Sequence, residues 1–284
     1  MFASPLEGRY AIRAQLGTGG NGRVFRADDL KLGRAVAVKM LGGNTAREAV
    51  QRLEREGRVA SAINHPNVCA VSDIGRLRNG LPFLVLELLE GESLDKRIDT
   101  VGKLSLPVTL TLAEQMLLGL AAAHRLGVVH RDVKLANMFL VNLGHGREQL
   151  KLLDFGAALV PGGPLWDGVT LTTDGAVVGT VDYMAPEQLR GLRNLDARVD
   201  VYAAGVVMFE MLTGHRPFQG MSFTELMKSI AYKQPAAIAT VAPDVPASIA
   251  RAIDRALMVD VKERHADAGA FLEALRAPAA GPVG

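Results

Sequence analysis

The stretch from Leu16 to Leu41, LGTGGNGRVFRADDLKLGRAVAVKML, decides how this chain folds. It sets Gly17, Gly19 and Gly22 in the spacing G-x-G-x-x-G, a pattern shared by two unrelated kinds of nucleotide site. In a dinucleotide-binding crossover these glycines lie between a strand and a helix, with an acidic residue about 20 positions on for the ribose. Here they are followed by GRVFRAD, a β-branched and aromatic run, and then by a second strand-like run, RAVAVKML. The glycines therefore belong to a hairpin between strands. Such a hairpin can close over phosphates, because glycines let backbone N–H groups approach the oxygens and Lys39 on the next strand supplies a point charge.

Outward from this hairpin, YAIRAQL precedes it, and CAVSDIG and LPFLVLEL follow as further strand-like runs. One helical segment, Thr45 to Ile63, interrupts them. At about 100° per residue, Ala46, Ala49, Val50, Leu53, Gly57, Ala60 and Ile63 share a face. Glu56 falls inside that stripe, while Glu48 and Glu54 fall outside it. A carboxylate on a buried face requires a cationic partner, and Lys39 is the natural one.

After EGESLDKRI the pattern turns helical. LPVTLTLAEQMLLGLAAAHRLG is a long apolar-rich helix, DARVDVYAAGVVMFEMLTG is apolar nearly all round, and two or three amphipathic helices follow, ending in DAGAFLEALRA. The expectation is an α+β chain with a small, mostly β N-terminal lobe, joined near Glu87 to Gly91 to a larger helical lobe.

The composition, 49% hydrophobic and 22% charged over 284 residues, is that of a globular protein long enough for two cores. A net charge of +2 gives no general attraction to nucleic acid or to an anionic membrane, so neither is expected as a partner. The single cysteine, Cys69, cannot form an internal disulfide, and with no zinc-spaced Cys/His cluster it points to a reducing, cytoplasmic setting. Cys69 itself reads as a small core residue. MFASPLEGRY lacks the basic start and apolar region of a signal peptide, and Val201 to Phe209, taken as the most apolar run, is far short of the ~20 residues that span a bilayer.

Further along come VVHRDVKLANMFL and LKLLDFG. The motifs AVAVK, HRDVKLAN, DFG and APE, in that order behind the glycine hairpin, resemble the signature set of the eukaryotic-type protein kinases. INHPNV and DVYAAGVVMFEMLTGHRPF are most similar to the bacterial branch of Ser/Thr kinases. The resemblance covers about Tyr10 to Ala277 and implies the bilobal kinase fold in one domain, 1–277: a β-rich N-lobe with one regulatory helix, about 1–88, and a helical C-lobe, about 89–277. Residues 278–284 would be a flexible tail or the start of a linker.

The same resemblance implies ATP, with Mg²⁺ or in its place Mn²⁺, and protein substrates. Phosphoryl transfer is mostly positioning and charge neutralisation, which explains the residue types. Lys39, paired with Glu56, would bind the α- and β-phosphates, and Asn137 and Asp154 would hold the metal ion, a hard cation that prefers oxygen. Asp132 would accept the substrate hydroxyl proton, Lys134 would steady the transferred phosphate, and Thr180 would support the choice of Ser/Thr substrates. Leu16, Val24, Ala37, Leu86 and Phe139 would form the adenine slot, with the backbone at Glu87 and Leu89 as its polar edge, and Gly17, Gly19 and Gly22 over the phosphates. Glu187 with Arg264, and Asp200 below the catalytic loop, would be structural charges.

His130 reads as packed scaffold and His65 as a helix-end or loop contact. Two positions depart from the family pattern: Asn21 replaces the usual aromatic at the hairpin tip, and Leu135 replaces a common proline. In the long segment from Asp154 to Glu187, Thr170, Thr172 and Thr173 are candidate regulatory phosphosites, Thr172 and Thr173 favoured, with Arg131 as the phosphate's receiver, Asp174 as an unmodified stand-in and a second copy of the chain as the partner for trans-autophosphorylation; the alternative is a plain polar loop. The competing readings are an ATP-binding scaffold without catalysis and a small-molecule phosphotransferase. The complete Lys39, Glu56, Asp132, Asn137 and Asp154 set disfavours the first; APE, Thr180 and Arg264 disfavour the second.

Overall fold

The computed structural model describes residues 4–19, 22–41, 47–155, 181–192, 194–219 and 222–277. Asn21, Thr170, Thr172, Thr173, Asp174, Thr180 and the tail 278–284 lie outside the described residues.

Five antiparallel strands form the first lobe: β1 (Tyr10–Gly19), β2 (Gly22–Asp29), β3 (Arg34–Met40), β4 (Val71–Arg76) and β5 (Pro82–Glu87), in the order β1-β2-β3-β5-β4. The central strand β3 is buried on both faces from Val36 onward, which is why its sequence is an apolar run and not an alternation. On one side of the sheet Tyr10, Ala27, Val36, Val38, Met40, Phe83 and Val85 make a small core, with the Tyr10 and Phe83 rings edge-on at 5.9 Å. Helix α1 (Arg47–Ala62) lies across β4 and β5, burying Leu53, Glu56, Val59 and Ala60.

Residues 67–70, between α1 and β4, are bonded to the second lobe. Val68 bridges Leu152, the Cys69 N–H donates to the Leu152 carbonyl at 2.9 Å, and the Leu152 N–H donates to the Asn67 carbonyl at 2.8 Å.

The second lobe is built around α3 (Leu106–Arg125) and α5 (Arg198–Thr213). Helix α5 is buried from Val199 to Leu212, as its all-round apolar sequence requires. Around them stand α2 (Leu94–Val101), α4 (Pro186–Leu189), α6 (Phe223–Tyr232), α7 (Ile238–Val241), α8 (Ala247–Ala256) and α9 (Ala268–Arg276). Helix starts are set by capping side chains: Ser222 with Glu225 at α6, and Asp267, which accepts from the Ala270 N–H at 2.9 Å, at α9.

One feature of this lobe escaped the sequence reading. A three-stranded sheet, β6 (Gly91–Ser93), β7 (Met138–Asn142) and β8 (Glu148–Leu152), sits among the helices. Its strands of 3 to 5 residues are too short for a two-residue alternation to stand out. Helix α3, read from the sequence as long and apolar-rich, has 20 residues and a mean hydropathy of 1.4 over its most apolar stretch, enough for a membrane span by length and composition. Its burial among the other helices accounts for that composition.

Candidate functional site

The site is assembled from three pieces: strand β3, the loop between α3 and β7, and the end of β8. Lys39, near the end of β3, has Val24 of β2 on one side and Leu84 of β5 on the other. Its side chain is buried, and its Nζ donates to Glu56 Oε1 at 2.7 Å and also bonds Asp154. Burial disfavours a charged lysine, but the Asp154 and Glu56 carboxylates outweigh it and hold the ammonium above its ordinary pKa. Two carboxylates thus share one cation. Burial, with Asp154 close by, pushes the Glu56 carboxyl up; burial also opposes charge on Asp154, yet Lys39 outweighs it and keeps that carboxyl below its ordinary range.

At the hairpin, Gly22 has φ of 135°, and a Cβ there would overlap the Met40 carbonyl. Only glycine lets β2 begin so close to the end of β3. Ala37 is buried opposite Leu86, while Val24, Leu86, Leu89 and Phe139 are half-buried. Leu16 is 52% exposed. The Glu87 side chain, not assigned a role by sequence, accepts from the Ala70 N–H at 2.7 Å and from Lys151 Nζ at 2.8 Å.

In the α3–β7 loop, Asp132 is gripped from two sides. Lys134 Nζ lies 2.9 Å from both carboxylate oxygens, and Asn137 Nδ2 donates to the Asp132 carbonyl at 2.8 Å and to Oδ2 at 2.9 Å. The neighbouring Arg131 has φ of 66° and Asp154 has φ of 63°, left-handed conformations that are strained for residues with a side chain. The surrounding bonds account for both. Asp200, fully buried at the start of α5, accepts the His130 N–H on Oδ2 and the Arg131 N–H on Oδ1, each at 2.8 Å, and His124 Nε2 at 2.9 Å. Burial alone would raise the Asp200 carboxyl, but His124 and these donors hold it below its ordinary pKa.

Next to Asp154, the Leu153 carbonyl accepts from His130 Nε2 at 2.9 Å, and the Leu153 N–H donates to the Asn137 carbonyl at 2.8 Å. The His130 ring is fully buried against Phe155, its centroid 4.4 Å away. Its Nδ1 accepts the Asp132 N–H at 3.3 Å, so both ring nitrogens are used as a neutral scaffold uses them. His65 Nδ1 likewise accepts a loop donor, the Asn67 N–H at 3.1 Å.

The donor set suits a hard divalent ion. Asp154 offers a carboxylate and Asn137 a side-chain carbonyl, and the Leu153 bond to Asn137 keeps the two segments together. Among the described residues no group of three or more His, Cys, Asp or Glu could hold a metal by itself. An ion here would take its remaining ligands from phosphate and water, as Mg²⁺ prefers to do.

Below the site, Arg264 is buried with both terminal nitrogens on Glu187, at 2.7 and 2.8 Å, and its guanidinium lies 4.9 Å from the Tyr202 ring. Sequence reasoning missed a second charged cluster, in which Arg216 bonds Asp182 and approaches Glu210 at 3.4 Å, while the Tyr183 hydroxyl donates to Glu210. It also missed His124 and Lys151. Each lies in a helix or strand where nothing local demands a partner.

A family profile described as "Protein kinase domain" matches residues 10–275. The serine/threonine-protein kinase PknA of Mycobacterium tuberculosis is 37% identical over 283 residues, covering 97% of this chain and 62% of that protein. The serine/threonine-protein kinase pkn3 of Myxococcus xanthus is 36% identical over 273 residues, 95% of this chain and 50% of its own length. The probable serine/threonine-protein kinase SCO3848 of Streptomyces coelicolor is 36% identical over 268 residues, 93% of this chain and 39% of its own. The chain thus spans less than two thirds of the length of these curated relatives.

Proposed function

The chain belongs to the protein kinase domain family, and from that premise we propose that it transfers the γ-phosphate of ATP to serine and threonine hydroxyls of proteins. The observation that carries the reading is the buried Lys39–Glu56 pair at 2.7 Å, together with an Asp132 held by Lys134 and Asn137. A scaffold that only docked partners would have no need of that second constellation.

Each residue's part follows from its chemistry. Lys39, fixed by Glu56, offers a positive charge to phosphate oxygens, and the glycine hairpin offers backbone N–H groups above them. Asp132 accepts the proton of the incoming hydroxyl and orients that oxygen, while Lys134, beside it, neutralises charge on the group in transit. Magnesium bound with ATP supplies further charge neutralisation, and Asp154 and Asn137 are the side chains that would hold it. In the present arrangement Asp154 bonds Lys39, so nucleotide binding exchanges one electrostatic partner for another.

Regulation is proposed to act through Arg131. Its Nε is buried and has no hydrogen-bond partner among the described residues, and burial pulls the guanidinium below its usual pKa. A phosphate on Thr172 or Thr173 would supply the missing anion, delivered by a second copy of the chain.

The test is incubation with labelled ATP and Mg²⁺, reading phosphosites by mass spectrometry, with Asp132→Asn as control. Label on Ser and Thr in the wild type and its loss in the variant is the expected result. Equal labelling in both, or none in either despite measurable ATP binding, refutes the reading. Replacing Thr172 and Thr173 together by Ala should lower the rate on an added substrate, and an unchanged rate refutes the switch.

A further inference from the structure

Helix α1 carries an oddity directly after the glutamate that holds Lys39. Gly57 lies in the interior of the helix, where glycine is among the least favourable residues. Its backbone is ordinary helix, so no left-handed turn calls for it. What does call for it is distance: a Cβ at position 57 would lie 2.5 Å from Leu84 Cδ2 and 2.7 Å from Ile74 Cδ1. Carbon atoms rest at about 3.5 to 4.0 Å, so a methyl group could enter only by pushing something back about 1 Å.

The strand register shows what would move. Leu84 on β5 pairs with Lys39 on β3, and on its other side with Ile74 on β4. Lys39, Leu84 and Ile74 therefore form one row across the sheet, and two consecutive helix residues dock on it. Glu56 takes the Lys39 end at 2.7 Å, and Gly57 takes the Leu84 and Ile74 end. Leu84 is fully buried, so its terminal methyl can swing aside only by displacing the side chains packed around it, and Ile74, 39% exposed, absorbs only part of the strain. The remaining freedom is for α1 to lift off the row, carrying Glu56 with it.

We propose that Gly57 is a positioning residue of the phosphotransfer site: by having no side chain it lets α1 lie flush on the Leu84–Ile74 pair, and this sets the Lys39–Glu56 distance. This inference rests on the kinase reading for its catalytic consequence, but its geometric core stands apart from it. A lift of about 1 Å takes a 2.7 Å ion pair beyond hydrogen-bond length.

The test is a set of variants made in the full chain. Gly57→Ala is expected to lower kcat at least tenfold at saturating ATP and Mg²⁺, the better helix propensity of alanine offsetting only part of the overpacking cost in thermal stability. Trimming the two opposing side chains, Leu84→Val with Ile74→Val, removes the two nearest atoms and leaves only Ile74 Cγ1, at 3.1 Å. On its own it should leave kcat within about twofold, and added to Gly57→Ala it should restore at least fivefold of the loss. A crystal structure of Gly57→Ala should show Lys39 Nζ more than 3.5 Å from Glu56 Oε1. Should Gly57→Ala fail to fold, the triple variant, compared with the trimmed pair, carries the test.

Unchanged kcat in Gly57→Ala, or a loss that trimming does not restore, overturns the proposal. So does a Gly57→Ala structure in which the pair stays below 3.0 Å, whatever the activity. Should the wild type transfer no phosphate at all, the kinase reading fails, and the crystallographic distance alone decides the role of Gly57.

Discussion

Replacing Arg264 by Met should destabilise the fold far more than a surface charge change would. The guanidinium is inaccessible to solvent and donates at 2.7 and 2.8 Å to Glu187, at 2.7 Å to the Met258 carbonyl and at 3.1 Å to the Arg198 carbonyl. Methionine fills most of the volume but leaves a buried carboxylate with no cation. Breaking one side of a buried pair typically costs about 3 to 5 kcal/mol. A chain of 284 residues unfolds with an entropy of about 0.6 kcal/mol per degree, so the midpoint should fall by about 5 to 8 °C. The cost comes from the stranded charge and not from the lost attraction. The double variant Glu187→Leu with Arg264→Met should therefore recover more than half of the loss, because a well-packed apolar pair is often as stable as a buried ionic one. Thermal and urea unfolding of wild type, each single variant and the double give the full cycle. A single variant within 2 °C of wild type, or a double variant as unstable as the worse single one, refutes the reasoning.

Lys39→Met should reduce phosphate transfer by at least about 100-fold, as removal of one preorganised electrostatic group commonly does, while leaving the unfolding midpoint within a few degrees. The fold survives because Glu56, already pushed toward its neutral form, can hold a proton beside Asp154. Asp200→Asn should cost about 3 kcal/mol, since one of its two acceptor oxygens becomes a donor facing N–H groups at 2.8 Å; unfolding measurements at fixed pH check it. Stability should also fall as pH drops below about 6.5, the ordinary histidine value. Burial holds the His265 pKa down, and Arg255 adds to this, so the folded protein keeps the ring neutral where the unfolded chain takes up a proton. His265→Phe, which keeps the stacking on Phe271 at 4.7 Å, should flatten that slope, and an unchanged slope between pH 7 and 5 counts against it.

What could be read ahead of the structure is what local rules dictate. The hairpin was legible because a strand-forming run and not a helix follows the glycines. The partner of Lys39 was legible because Glu56 falls in an apolar stripe where a lone carboxylate is untenable. The placing of Lys151 on Glu87, or of Arg216 between Asp182 and Glu210, was not legible. These partners are 64, 34 and 6 residues apart; Lys151 and Glu87 lie on strands whose pattern does not need the pair, and Asp182 and Arg216 lie outside helices and strands, where no periodicity points to a partner. The short sheet β6-β7-β8 was hidden for a different reason. Its strands make sense only as neighbours of each other, through pairings such as Met138 with Leu152 and Ser93 with Phe139.

Of the four non-glycine residues with left-handed backbone among those described, Arg131 and Asp154 bear most on the site. Neither is glycine, and each stands next to or at a carboxylate proposed to meet substrate or metal. A conformation costing of the order of 1 to 3 kcal/mol persists only where neighbours over-determine it. The neighbours here are few and connected: Asp200 holds the N–H groups of His130 and Arg131, and the His130 ring in turn holds the Leu153 carbonyl that precedes Asp154. One buried carboxylate on α5 thereby fixes the backbone on both sides of the cleft floor. That explains why an aspartate stands at the start of the most apolar helix of the lobe. Its burial is offset by three donors, and the stability those bonds supply is used to hold Asp132 and Asp154 in positions the chain would not otherwise adopt.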